Sequence, residues 1–186
     1  MATATVDDRR WTREEYERLA EQGFFHPEEK VELVDGVIYE MTPQSSFHST
    51  GVLLTQGALQ PLYKAGFHIR IQMPLALGLD SEPEPDLAVV PGGLRDYVDA
   101  HPSTAVLVLE VADSSLLYDR KKASLYARAE IAEYWLLNLV DWCLEVYRNP
   151  RDGVYTSRTV LREGDSVSPL SRPEAAILVA SLLPRK

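Results

Sequence analysis

The chain has 186 residues, 45% of them apolar, a single cysteine, and 19 lysines and arginines against 28 acids, for a formal net charge of −9. That length fits one compact domain that buries roughly 70% of its unfolded surface, and the composition excludes a fully disordered or fibrous chain. The lone Cys143 excludes an intrachain disulfide framework, and the acidic balance speaks against a broad, sequence-independent nucleic-acid binder, which needs clustered lysine and arginine.

Thr12 and Glu15 form a capping box, so a first helix begins there and ends before Gly23, with Tyr16 and Leu19 on one face. Residues 30–39 alternate about Asp35-Gly36 as a hairpin. Residues 45–65 carry Val52, Leu53, Leu59, Leu62 and Tyr63 at helical spacing, with Gly66 as the stop and Gly51 and Gly57 as weak points. Residues 68–77 alternate as a strand, which Pro74 assigns to an edge or an end. A short strand follows at 85–90. Residues 105–111 form a continuous apolar strand interrupted only by Glu110, and residues 116–128 form a helix that Ser114-Ser115 would cap. Strands at 134–139, 144–147 and 154–160 follow, the last two hairpin-like around Asp152-Gly153; residues 174–183 read neither way. Strands predominate, with helices before and after a central run. This order suits an α/β or mixed α+β core, a sheet flanked by helices. A single domain over 10–183 and a flexible N-terminus over 1–9 are expected.

No apolar run approaches the roughly 18 residues of a membrane span. The opening MATATVDDRRW has no apolar signal core, so a cytoplasmic protein with no membrane partner is expected. Charge is uneven along the chain. Residues 1–40 hold eleven acids and five bases, whereas residues 120–162 hold eight bases and five acids, so a polyanion should meet the second half first.

Glu110 is the most informative residue. A carboxylate in a strand buried on both faces costs several kcal/mol unless it is paired, hydrogen-bonded, metal-bound or protonated. Asp86 opens the preceding strand directly after Pro85, and two acids at the ends of neighbouring strands can converge on one cation. The plainer readings are a cross-sheet ion pair for Glu110 and a turn residue after proline for Asp86. In the helix after Glu110, Lys122 shares the apolar stripe of Tyr118, Leu125, Tyr126 and Ala129, so it should point toward the Glu110 strand. A snorkelling lysine at the core margin is the alternative. Lys121 lies on a more mixed face. Glu32, in the first hairpin, offers a third carboxylate or a solvent-facing strand residue. His48 and Gln72 are weaker candidates. No P-loop, dinucleotide fingerprint, zinc motif or nucleophile elbow occurs.

These residues form an ordered set: Val-Glu-Leu-Val-Asp-Gly at 31–36, His48, Gln72-Met-Pro-Leu, Glu84-Pro-Asp-Leu-Ala-Val-Val, Leu109-Glu-Val-Ala-Asp-Ser-Ser, and the run from Asp119 that ends Ile-Ala-Glu-Tyr-Trp. Over roughly residues 10–165 the set resembles the Uma2 family of the PD-(D/E)XK restriction-endonuclease-like superfamily. The resemblance implies a mixed central sheet flanked by helices, with additional hairpins, and a divalent cation, Mg²⁺ or Mn²⁺, held by Asp86 and Glu110. It implies Glu32 as a third site acid. The superfamily lysine two residues after the second acid is replaced here by Ala112, and the resemblance points instead to Lys122, with Lys121 also open because the helix segment is one residue short. Glu130 stands where the family commonly has glycine.

The function so implied is metal-assisted hydrolysis of DNA phosphodiester bonds. In this scheme Lys122 positions water or neutralises transition-state charge, and Glu32 tunes the site. An acidic net charge is compatible with a nuclease, whose site gathers carboxylates around a cation. The competing readings are a catalytically inactive nuclease-fold module in binding or regulation, and a metal-dependent hydrolase of small phosphates. A homodimer is expected, since double-strand cutting needs two sites and the hairpins of the second half could pair.

Overall fold

A computed structural model of the chain describes residues 9–184. All but Arg9 of the expected flexible N-terminus lies outside the described residues. Helix α1 (Arg13–Glu21) starts at the expected capping box: the Thr12 hydroxyl accepts from the Glu15 amide and the Glu15 carboxylate accepts from the Thr12 amide. Strands β1 (Val31–Val34) and β2 (Val37–Glu40) form a two-stranded sheet, which Leu33 extends by an isolated antiparallel bridge to Glu82. Asp35 and Gly36 both take positive φ, 51° and 74°, which a two-residue turn of the hairpin type requires.

The main sheet has six strands in the order β3 (Phe67–Arg70), β4 (Leu87–Pro91), β5 (Leu107–Ala112), β6 (Glu133–Asn138), β7 (Cys143–Arg151), β8 (Val154–Leu161). Only β5 and β6 run parallel. Helix α3 (Leu116–Arg128) makes the crossover between them, as a parallel connection demands. The mixed sheet flanked by helices is the architecture the sequence predicts.

Alternation along β5 builds two cores. Leu107, Leu109 and Val111 face one layer, where Val52 and Leu59 of helix α2 (Ser46–Leu59) pack with Trp135 and Leu137. Two short C-terminal strands, β9 (Ser166–Val167) and β10 (Ile177–Leu178), and a 3-10 turn (Val179–Ser181) complete that layer. Val108 and Ala112 face the other layer with Leu125 and Tyr126 of α3, and Glu110 lies between them in the alternation. Gly51 lets α2 approach the sheet: a Cβ there would stand 3.1 Å from Val111 and 3.3 Å from Leu137. Among the described residues no helix is long and apolar enough to cross a membrane.

Three local expectations are corrected. Helix α2 stops at Leu59, ahead of Gly66, because Pro61 has no amide to continue the ladder; Gly66, at φ 76°, instead leads into β3. The strand expected over 68–77 ends at Arg70. Gln72 takes φ 50° and its amide donates to the carbonyls of Pro85 and Asp86, which turns the chain out of the ladder. Ser115 occupies the N-cap of α3 but does not cap it; its hydroxyl donates to Asp119 Oδ2 at 2.5 Å.

The far end of α3 closes in a Schellman motif. The Ile131 amide donates to the Tyr126 carbonyl, and the Glu130 amide donates to the Ala127 carbonyl. Glu130 there has φ 55°, a left-handed conformation in which only glycine avoids a steric cost.

Helix α3 is tied to β7 and β8 through Glu145, which is 1% exposed. Arg120 and Arg158 each reach it through Nε and Nη2, and Tyr147 and Asn138 donate to it as well. Burial alone would raise the Glu145 carboxyl, but hydrogen bonds from Arg120, Tyr147, Asn138 and Arg158 bring it down to about 2.

Two tests follow from this framework. Glu130→Gly should raise stability by about 1 kcal/mol, read as an increased urea midpoint at unchanged slope. The Glu145 carboxyl lies below its unfolded value of 4.5, so its ionised form favours the fold above that value and the contribution disappears as pH falls toward about 2. The stability deficit of Glu145→Gln relative to wild type should therefore be full at neutral pH and shrink between about pH 5 and pH 3, as measured by urea unfolding across that range.

Candidate active site

The pairing of β4 with β5 sets Leu87 opposite Leu109. Asp86 is the residue immediately before β4 and Glu110 the residue after Leu109 in β5, so the two acids lie side by side where the ladder ends. Glu110 holds the backbone of Asp86, and Asp86 holds the backbone of the residue after Glu110. The Asp86 amide donates to Glu110 Oε2 at 3.1 Å, and the Val111 amide donates to Asp86 Oδ2 at 2.8 Å. Sequence reasoning put both acids at neighbouring strand ends, and the structure brings them together, 8% and 3% exposed.

Lys122 is the third member. It sits mid-helix on the buried face of α3, 4% exposed, while Lys121 is exposed on the other face. Its ammonium lies 3.0 Å from Glu110 Oε1 and 2.8 and 2.9 Å from the two oxygens of Glu32. The geometry therefore selects Lys122 over Lys121 as the lysine next to the acids. Glu32 is 1% exposed and does not face solvent. Besides Lys122, it accepts from the Glu84 amide at 3.0 Å and from the Tyr118 hydroxyl at 2.9 Å.

Charge balance explains the protonation states. Burial would depress the Lys122 ammonium, but Glu110 and Glu32 outweigh it and hold the group well above its usual range. Burial drives the Glu110 carboxyl upward; Lys122 opposes that push, while Asp86, Asp119 and Glu32 add to it. A second cation near Glu110 and Asp86 would relieve this push.

His48 and Gln72, the weaker candidates, both reach Asp86. His48, in the first turn of α2, places Nε2 3.1 Å from Asp86 Oδ2. Burial disfavours its charged ring, yet Asp86 raises its pKa overall. Gln72 donates from Nε2 to Asp86 Oδ1 at 3.1 Å, an aim set by its left-handed backbone. Ser45, the N-cap of α2, donates to Asp113 Oδ2 at 2.5 Å, which fixes the first turn of α2, and with it His48, beside the end of β5. Helical spacing places Tyr118 and Tyr126 in the core stripe, yet both also reach the acids. Tyr126 donates to Glu110 Oε1 at 2.7 Å, and Tyr118 donates to Glu32. Their spacing of four residues on either side of Lys122 is the signal that could have found them.

Among the described residues no three His, Cys, Asp or Glu side chains are grouped to hold a metal ion. Mg²⁺ needs fewer, since it is commonly bound through one or two carboxylates together with waters and substrate phosphate. The donor set fits that requirement. An ionised carboxylate offers about four lone-pair sites; Asp86 Oδ1 accepts one hydrogen bond, from Gln72, and Glu110 Oε2 accepts one, from the Asp86 amide. Each acid thus keeps a hard oxygen with capacity for a cation.

A family model described as "Putative restriction endonuclease", Uma2, matches residues 13–180. The chain belongs to the Uma2 family. A crystal structure of a "putative nuclease belonging to DUF820" from Anabaena variabilis ATCC 29413 superimposes with a TM-score of 0.70 at 17% identity, covering 92% of this chain and 96% of that one. At that identity the likeness concerns the fold, and it agrees with the restriction-endonuclease-like core expected from the sequence. No curated protein matches the chain. In this Uma2 protein, the Glu-Pro-Asp and Leu-Glu-Val motifs meet at a single pair of strands.

Replacing Lys122 with methionine would strand two buried carboxylates. Lys122→Met should cost about 3–5 kcal/mol in urea unfolding, whereas Lys121→Met should change stability by less than about 0.5 kcal/mol.

Proposed function

We propose that this Uma2 protein is a Mg²⁺- or Mn²⁺-dependent endonuclease that hydrolyses phosphodiester bonds in DNA, working as a homodimer when it cuts both strands. The observation that carries the reading is the opposed pair Asp86 and Glu110, each with an available oxygen, beside a buried ammonium. The family description and the nuclease-like fold support it.

A divalent cation bound by Asp86 and Glu110 supplies Lewis-acid polarisation of a phosphate oxygen and a water of lowered pKa. The chain's own residues prepare that site. His48, Gln72 and the Val111 amide fix the Asp86 carboxylate in one orientation. Lys122 and Tyr126 hold Glu110 Oε1, which leaves Oε2 directed toward the Asp86 side. Lys122 brings a permanent positive charge to the place where negative charge grows on the phosphate, and such fixed charge is worth most in a buried site. Glu32 anchors that ammonium and belongs to the catalytic group by positioning it.

A second reading, a nuclease fold kept as an inactive binding or regulatory module, draws on the complete engagement of Lys122 by Glu32 and Glu110. One assay separates the two. Purified protein should nick supercoiled plasmid with Mg²⁺ or Mn²⁺ and stop in EDTA, and Mn²⁺ should raise its melting temperature. Asp86→Asn and Glu110→Gln should each lower nicking by at least about a hundredfold and abolish the Mn²⁺ shift. A wild-type protein with neither nicking nor a metal shift is the inactive module.

A further inference from the structure

Beyond the acid site, the same layer carries a second charged construction. Pairing across β5, β6 and β7 aligns Glu110, Leu136 and Glu145 in one row, so Glu145 stands two strand spacings from Glu110, about 10 Å. Both glutamates face α3. Lys122 and Tyr126 reach Glu110 from one flank of the helix, and Arg120 reaches Glu145 from the other.

Glu145 is bound more heavily than one carboxylate requires. Arg120 donates through Nη2 at 2.5 Å and Nε at 3.2 Å; Arg158 donates through Nη2 at 2.8 Å and Nε at 3.1 Å. One guanidinium neutralises one carboxylate, and Tyr147 and Asn138 fill the remaining acceptor positions. The second guanidinium is therefore not needed to settle the buried charge. Asp141 lies 3.7 Å from Arg120 as a distant second acid, and Arg162 donates to the Asp141 backbone carbonyl. Arg120 and Arg158 each use the same edge, Nε with Nη2. Among the described residues nothing engages the Nη1 of either, and their side chains are 33% and 46% exposed. Two rigidly held guanidiniums with free N–H groups suit a phosphate, which guanidinium recognises through paired hydrogen bonds.

We propose that Arg120 and Arg158, clamped on Glu145, form a subsite that grips one backbone phosphate of DNA beside the acid site. The inference rests on the nuclease reading for its substrate and on the clamp geometry for its place. A separation of about 10 Å corresponds to roughly three nucleotides of rise along one strand. The clamp thus holds a phosphate about three nucleotides along the strand while a scissile one lies at Asp86 and Glu110. Arg120 and Arg158 are two of the eight bases of residues 120–162, the basic segment of an acidic protein.

The test is fluorescence anisotropy of a labelled duplex DNA in EDTA over a series of salt concentrations. Wild type should bind, and Arg158→Gln should weaken binding about tenfold and reduce the slope of log Kobs against log salt by about 0.9, the loss of one phosphate contact. Arg128→Gln removes the same charge from an arginine paired with Asp35 and should leave the slope unchanged. Glu145→Gln should lower the melting temperature yet bind DNA at least as tightly, because both guanidiniums remain; a merely structural tie would lose binding in step with stability. Equal slope changes in Arg158→Gln and Arg128→Gln, or no duplex binding by wild type, would overturn the clamp. Nicking with Mg²⁺ or Mn²⁺ is scored separately. Nicking with an unaltered Arg158→Gln slope sinks the clamp alone, and clamp-dependent binding without nicking sinks the nuclease reading alone.

Discussion

A single buried ammonium organises this protein. Lys122 faces Glu110 on β5 and Glu32 on the small hairpin, and it is nearly sealed from solvent. Removing a charge from water costs several kcal/mol, and only close opposite charge recovers that cost. Lys122 therefore fixes the distances among three elements that share no ladder. The hairpin of β1 and β2 is a sheet of its own, tied to the segment before β4 by one bridge between Leu33 and Glu82; the Lys122–Glu32 contact, with the Glu84 amide and the Tyr118 hydroxyl, seats it against α3 and the strand entry at β4.

The same ammonium makes the acid site tolerable. Glu32, Asp86 and Glu110 approach one another in a region of low polarity, where like charges would force at least one to take up a proton. Lys122 answers two of them directly. Asp86 is answered differently, by an amide, a histidine and a glutamine arriving from β5, α2 and the turn after β3. Each acid is held firmly on one side and keeps an oxygen on the other. That asymmetry distinguishes the arrangement from a plain cross-sheet ion pair, in which both partners would be satisfied.

Helix α3 joins two charge systems of opposite character. On one flank its lysine supports acids with acceptor capacity left over. On the other its arginine shares a buried acid with Arg158 and has donor capacity left over. The proposed nuclease reading uses both kinds of partner: acids that would hold a cation at the bond that breaks, and guanidinium at a phosphate that stays. The net charge of the chain conceals this, because Glu145 sits beneath its arginines and the many exposed acids of the N-terminal segment lie elsewhere.

Much of this was legible in the residues. The capping box at Thr12, the Asp-Gly turns, the all-apolar run around Glu110 and the stripe carrying Lys122 act over a few residues, and backbone geometry and alternation dictate them. Glu110 stood out because burial and charge conflict within one strand. The stripe favoured Lys122 but left Lys121 open, since a one-residue shift rotates a helix by about 100° and only packing against β5 fixes that angle. The sequence could not show Glu32 buried, because β1 looks like an ordinary half-exposed strand until the hairpin docks. Nor could it pair Arg120 with Arg158 over Glu145: those three residues span 39 positions and meet only because β6, β7 and β8 lie side by side against α3. Local stereochemistry thus determined the elements and the identity of the conflicted acid. Long-range pairing decided which charges became neighbours, because Coulomb energy in a dry interior depends on distances that chain position alone does not set.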